Sequence, residues 1–222
     1  MTKKERAELI TEKLFKQYPD AECSLTYNHD YELLIAGRLS AQCTDKRVNI
    51  VTKELFSKYT SLEEFASADL EDIEKIVKPC GLYKTKSKNI ILMCQQIINN
   101  FDGEIPSTIE ELTTLSGIGR KTANLIMGDI FKKPAIVTDT HCIRICGRLG
   151  LTSNKEPVKV EADLRKIIPP EKSAGFCHRI VIHGREVCKA RKTECEICCL
   201  SDVCKTYDIN CKKGKNLIDI NY

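Results

Sequence analysis

Leu115-Ser116-Gly117-Ile118-Gly119-Arg120-Lys121-Thr122-Ala123 joins two segments whose apolar residues recur at helical spacing. Glycines two positions apart allow a tight turn, because a residue without a Cβ tolerates backbone angles closed to others. Such a turn aims the first amides of the following helix outward, which suits a phosphate. Lys121 stands at the mouth of that helix. Two readings fit the stretch. It is either a phosphate-gripping hairpin that presents a reactive amine, or an ordinary helix–turn–helix corner with a solvated lysine. Residues elsewhere in the chain decide between them.

Outward from this corner, helical patterns continue in both directions and no strand alternation of useful length occurs, so the expected fold class is all-α. Glu5 to Tyr18 reads as a helix with a Thr2/Glu5 capping box, Ala7, Ile10 and Leu14 on one face, and Pro19 as its stop. Tyr31 to Leu39 is a second helix, and Asp45 can cap a third through Tyr59. Thr85 to Asn100 is a long helix with Ile90, Ile91, Met93, Cys94, Ile97 and Ile98 as its apolar face. Ser107 and Glu110 form another capping box for a helix from Thr108 to Leu115, and the helix after the hairpin runs to Phe131. Asp139 or Thr140 caps a helix ending at Leu149; Val158 to Ile168 and Glu171 to Val187 follow.

The 222 residues, 42% of them hydrophobic, suffice for one large domain or two small ones. Lys plus Arg number 35 against 31 Asp plus Glu, a net charge of +4, so any nucleic-acid surface is a local patch rather than a global field. The charged start, Met1-Thr2-Lys3-Lys4-Glu5-Arg6, is no signal peptide, and no apolar run approaches a membrane span. The expected location is cytoplasmic, at the nucleoid if the source is prokaryotic. Thirteen cysteines are many for a reducing compartment and point to metal rather than disulfides. Cys23, Cys43, Cys80, Cys94, Cys142, Cys146 and Cys177 are spread among apolar residues and read mostly as small core side chains.

Cys188, Cys195, Cys198 and Cys204 stand as Cys-x6-Cys-x2-Cys-x5-Cys, with Cys199 as an extra thiol. Four thiolates within seventeen residues can wrap one tetrahedral metal or one cubane cluster. The all-sulfur set excludes hard cations, and spacing alone does not separate zinc from iron–sulfur. Between the first two ligands lies Lys189-Ala190-Arg191-Lys192-Thr193-Glu194, half of it basic, a loop that suits phosphate contact or simply solubility. His141, His178 and His183 read as structural.

Together these motifs resemble the endonuclease III family. Gly117-Ile118-Gly119-Arg120-Lys121-Thr122-Ala123 is similar to its helix-hairpin-helix, Asp139-Thr140-His141 to its aspartate motif, and the cysteine spacing to its [4Fe–4S] loop. Leu39-Ser40-Ala41-Gln42-Cys43-Thr44-Asp45, Cys80-Gly81-Leu82-Tyr83 and His183-Gly184-Arg185 fit further segments. The matches keep family order from Tyr31 to Cys204. The resemblance implies a two-lobed fold: a six-helix barrel over residues 22–133, an iron–sulfur domain of residues 1–21 and 134–222, and a cleft between them that takes DNA. It implies a monomer that removes oxidised or ring-saturated pyrimidines from damaged double-stranded DNA and nicks the abasic site, with no membrane role.

Carried over position by position, Lys121 is the nucleophile and Asp139 its charge-stabilising or proton-relaying partner. Gln42 and Leu82 enter the opened duplex, with Gly81 and Tyr83-Lys84-Thr85-Lys86 suggesting an exposed turn around Leu82. Gly117, Gly119 and Arg120 grip DNA from the hairpin, and Lys189, Arg191 and Lys192 from the cysteine loop. Cys188, Cys195, Cys198 and Cys204 hold the [4Fe–4S] cluster. Three positions depart from the family pattern: Ser116 for proline, which should loosen the turn slightly, Thr138 for valine, and Arg179 for a large apolar residue. The alternatives are a monofunctional mismatch or alkylated-base glycosylase, against which Lys121 speaks, and a non-enzymatic zinc-containing DNA-binding protein. The adenine-specific branch carries an extra C-terminal domain, for which no room is expected after Tyr222.

Overall fold

A computed structural model describes residues 1–207. The end of the second expected domain, residues 208–222, lies outside the described residues. These are helical, with no β-strand among them beyond an isolated antiparallel bridge between Cys188 and Thr193. The chain forms two compact units, residues 23–132 and residues 1–22 together with 133–207. No helix among the described residues is long and apolar enough to cross a membrane.

Helix α1 (Lys3–Gln17) opens the chain with the expected reciprocal cap: the Thr2 amide donates to Glu5 at 2.7 Å and the Glu5 amide to the Thr2 hydroxyl at 3.2 Å. Ala7, Ile10 and Leu14 are fully buried, the last two worth roughly 2 kcal/mol each. The chain then builds the unit of residues 23–132 from α2 (Asp30–Leu39), α3 (Asp45–Lys58), α4 (Leu62–Ala66), α5 (Leu70–Val77), α6 (Tyr83–Phe101), α7 (Ile109–Leu112) and α8 (Arg120–Asp129). The longest, α6, packs on α4, α5 and α2, burying Ile90, Met93, Cys94 and Ile97. Ile91 and Ile98 are only half-buried. Leu33, Leu34, Ile35, Ala36 and Leu39 make α2 apolar nearly all round, as an interior helix must be. Gly37 lies against α8 so closely that a Cβ there would sit 2.7 Å from the Thr122 methyl. That approach seats the helix carrying Lys121.

The remaining helices α9 (Thr140–Leu149), α10 (Pro157–Arg165) and α11 (Ser173–Glu186) join α1 in the other unit, with α11 packed on both α9 and α1. Arg179, half-way along α11, is buried. Its guanidinium lies 3.7 Å over the Phe15 ring and donates to the Gly175 and Pro19 carbonyls at 3.0 and 2.8 Å. The flat face of the cation fills an apolar slot while its edge satisfies carbonyls.

Several boundaries differ from the sequence expectation. Thr44, not Asp45, caps α3, and Thr108, not Ser107, caps α7, its hydroxyl also donating to Glu111 at 2.7 Å. In each case the neighbouring residues are both competent caps, and the one with extended backbone angles takes the role. Helix α7 stops at Leu112 because Thr113 and Thr114 turn their hydroxyls back to the carbonyls of Glu110 and Glu111.

Candidate active site and nucleic-acid interface

The hairpin between α7 and α8 is built on one backbone requirement. Gly117 has φ +77°, and a Cβ on it would stand 2.5 Å from Arg38 Nε and 2.9 Å from Asn89 Cγ. Only glycine fits there. Gly119 differs: its backbone is extended and nothing lies within 4 Å of where its Cβ would be. A bare residue there leaves the helix entrance open to an approaching group. The first bond of α8 runs from the Ala123 amide to the Gly119 carbonyl at 3.0 Å, so the amides before it face forward. Arg120 and Lys121 are exposed at this entrance.

Side chains from two other helices clasp the turn. Arg38 donates twice to the Asn89 amide oxygen, at 3.0 and 2.9 Å, and the Asn89 amide donates to the Ser116 hydroxyl at 2.7 Å. The Ser116 backbone amide donates to Gln96 at 2.7 Å. The expectation that serine loosens this turn is therefore corrected. A proline would lack both the amide and the hydroxyl that anchor it.

Two other sequence-selected residues stand on tips. Gln42 (φ 56°) and Leu82 (φ 48°, ψ 30°) both have left-handed backbones, two of the four non-glycine residues among those described that do so. Each conformation costs about 1–3 kcal/mol and persists only where its surroundings hold it. Gln42 is exposed, and Leu82 is 57% exposed for a large apolar side chain. The exposed turn expected around Leu82 ends sooner than its charge pattern suggests, because Lys86 is wholly buried.

Asp139 belongs to the other unit and caps α9, one carboxylate oxygen accepting from the Cys142 amide at 2.7 Å. Of the two capping candidates in sequence, the structure selects Asp139. Beneath it lie the buried thiols of Cys142, Cys146 and Cys177, and Cys177 accepts from the Val137 amide at 3.2 Å. Contact with Cys146 pushes the Cys142 thiol, and contact with Cys142 the Cys177 thiol, well above the usual range, and burial adds to both. They are inert core groups, as expected of scattered cysteines.

Cys188, Cys195, Cys198 and Cys204 line one cavity together with Ile145, Leu149, Val187 and His183. Cys199 is not among the lining residues. Among the described residues no three His, Cys, Asp or Glu side chains are placed to hold a single metal ion. Four cysteines lining one space supply an all-sulfur donor set, which fits a thiolate-held metal or cluster. Arg148 braces the loop, donating to the Cys188 sulfur at 3.3 Å and to the Lys189 and Ala190 carbonyls at 2.8 and 2.9 Å. Lys189 pairs with Glu194 at 2.6 Å, holding that carboxyl below its usual range, while Arg191 and Lys192 are exposed.

His183 was legible only as structural, yet it does more than pack. Its Nε2 lies 3.5 Å from Cys198 Sγ and its Nδ1 lies 3.1 Å from the Tyr18 hydroxyl. Burial pulls its pKa down to about 4, so the ring is neutral. No local spacing rule exposes this contact, because Cys198 is fifteen residues away in sequence.

Residues 35–170 match the HhH-GPD superfamily of base excision DNA repair proteins. The chain is 46% identical over 204 residues to endonuclease III of Synechocystis sp., spanning 91% of this chain and 93% of that protein. It is 40% identical over 205 residues to endonuclease III of Haemophilus influenzae, spanning 92% and 97%. A solved endonuclease III trapped as a covalent intermediate with DNA, an estranged-adenine complex, superposes with a TM-score of 0.89 at 39% identity, over 97% of this chain and 100% of that one. The clasped hairpin, the capped aspartate and the cysteine loop fall along one chain that is alike over more than nine-tenths of its length with these relatives, and the chain belongs to the endonuclease III family.

Proposed function

We propose that this protein is a bifunctional DNA glycosylase and AP lyase. It removes oxidised or ring-saturated pyrimidines from duplex DNA and then nicks the strand 3′ to the abasic site. One observation carries the reading: an exposed lysine is the second residue of α8, at the open mouth of a clasped hairpin, in a family with a member trapped covalently on DNA.

The chemistry needs the target nucleotide out of the stack, which costs a few kcal/mol. Gln42 and Leu82 offset this cost, the amide by hydrogen bonding the orphaned base and the leucine by wedging. The hairpin amides and Arg120 hold the backbone phosphates, helped by Arg191 and Lys192, with Lys189 shared between phosphate and Glu194. The Lys121 amine attacks C1′ through its lone pair. The C–N bond to the enzyme forms as the glycosidic bond breaks, and the base leaves with a proton. The sugar ring opens to an imine, which acidifies the C2′ hydrogen. Loss of that proton expels the 3′ phosphate by β-elimination, and water then releases the lysine. Asp139, with one oxygen engaged as a cap, stabilises positive charge growing at the sugar and relays a proton through the other.

Cys188, Cys195, Cys198 and Cys204 would hold a [4Fe–4S] cluster, whose contribution when bound is to order the loop that carries Arg191 and Lys192. All four positions are protein thiolates, and no step of the elimination needs an open iron site.

Borohydride trapping on duplexes with a single damaged pyrimidine tests the reading. The wild type should form a covalent adduct and Lys121→Gln none. Adduct formation by Lys121→Gln would sink the assignment. Nicking of an abasic duplex separates this activity from a monofunctional glycosylase.

A further inference from the structure

Lys86 is the feature that the proposed chemistry does not use. It is a lysine with no exposed surface, in the first turn of α6. Its ammonium donates to the Leu39 carbonyl and to the Cys80 carbonyl, each at 2.8 Å. Its backbone amide donates to the Leu82 carbonyl at 3.0 Å. Leu39 is the last residue of α2, and Cys80 is the last residue of the 3-10 turn Lys78–Cys80. Both carbonyls are helix-end acceptors with no further turn to satisfy them, and at the end of α2 a cation is also favoured by the aligned peptide dipoles. Gln42 lies three residues beyond the first carbonyl and Leu82 two beyond the second.

We propose that Lys86 is a positioning residue for strand opening, its ammonium tying the two segments so that Gln42 and Leu82 stand at one spacing. The inference rests on reading those two as the residues that enter the opened duplex. So few residues separate each tip from its anchored carbonyl that a tip cannot shift far while the carbonyl is held. The left-handed backbones of Gln42 and Leu82 point the same way, since unfavoured angles persist only where the surroundings over-determine them.

Stability gives a weak reason to bury this charge. Desolvating an ammonium is costly, and the hydrogen bonds it gains do little more than offset that cost. Burial pulls its pKa below the ordinary lysine range. An apolar side chain would fill the space with less penalty but would leave two carbonyls unpaired and the two tips independent.

The test compares holoenzymes, wild type and Lys86→Met, in single-turnover borohydride trapping at an abasic site. The site lies either in a fully paired duplex or in an unpaired bubble of the same sequence. The bubble removes the need to open the strand and leaves the chemistry unchanged. Lys86→Met should trap at least tenfold more slowly than wild type on the duplex and within twofold of it on the bubble. Equal loss on both substrates, or no loss on the duplex, overturns the proposal. Should Lys86→Met fail to fold, Lys86→Arg keeps the charge but displaces the donors, and the same split in smaller measure is expected; uniform rates for it overturn the proposal too. Failure of the underlying reading looks different: the wild type would trap on neither substrate, or Gln42→Ala and Leu82→Ala would keep full duplex activity.

Discussion

At the scale of single residues, Ser116 shows how a turn substitution is absorbed by its neighbours. Its amide and hydroxyl are both in use, so Ser116→Pro, a change toward the residue common in the family, should destabilise this chain by about 1–2 kcal/mol. Chemical denaturation with the slope unchanged would measure it. Asp139 carries two duties that substitution can separate. Asn caps a helix about as well as Asp, so Asp139→Asn should leave stability within about 0.5 kcal/mol of wild type. The lost negative charge should slow trapping by about 10²–10³-fold. Equal rates would confine Asp139 to its cap. The Gly117 clash is with Arg38 and Asn89, the residues of the clasp itself, so a side chain at 117 would disturb the hairpin and its anchor together.

At the scale of elements, two contacts between helices yield predictions. Arg179 joins α11 to α1 by stacking on Phe15 and bonding to Pro19. Arg179→Ala should cost about 2–4 kcal/mol, and Arg179→Met distinctly less because it keeps the packing stem. Urea denaturation orders the three proteins. Asp72 joins α5 to the end of α3, accepting from Lys58 at 2.7 Å and from the Tyr59 hydroxyl. These bonds hold its pKa below the usual carboxylate range. Because the folded value is the lower one, the stabilisation is present above the unfolded pKa of about 3.9 and is lost as pH falls through the folded value. Asp72→Asn should flatten that acid limb in melting temperatures recorded against pH. The helices themselves were legible because their apolar residues repeat at 3.6, as the buried Ala7, Ile10 and Leu14 show. Their exact starts were not, since Ser107 and Thr108 cap equally well until backbone angles choose. Lys86 was illegible for a related reason. In the run Lys84-Thr85-Lys86-Ser87-Lys88 nothing local marks which lysine turns inward, and its acceptors come partly from Leu39, 47 residues away.

At the scale of the whole molecule, the cysteine loop is bound to the start of the chain as well as to its own neighbours. Arg6 donates to the Val203 carbonyl at 2.9 Å and Lys13 pairs with Asp202 at 2.9 Å. With the proposed cluster bound, Cys198→Ser should therefore remove its visible absorption and also raise hydrogen exchange in α1. Cys199→Ser, which alters a thiol outside the cavity, should do neither. Loss of the visible band with unchanged exchange in α1 would contradict the coupling. The pairing of the first helix with the last described segment also has a consequence for synthesis. Residues 23–132 form a compact unit that leaves the ribosome before the rest of the other unit has been made. Helix α1 emerges before that unit but packs on α11 and on the segment around Val203. At about 5–20 residues per second, it waits roughly ten to forty seconds for partners about 190 residues downstream. Through that interval Ala7, Ile10 and Leu14 have no native surface to cover them, and the eight charges along the helix, Lys3, Lys4, Glu5, Arg6, Glu8, Glu12, Lys13 and Lys16, keep the nascent segment in water until its partners arrive.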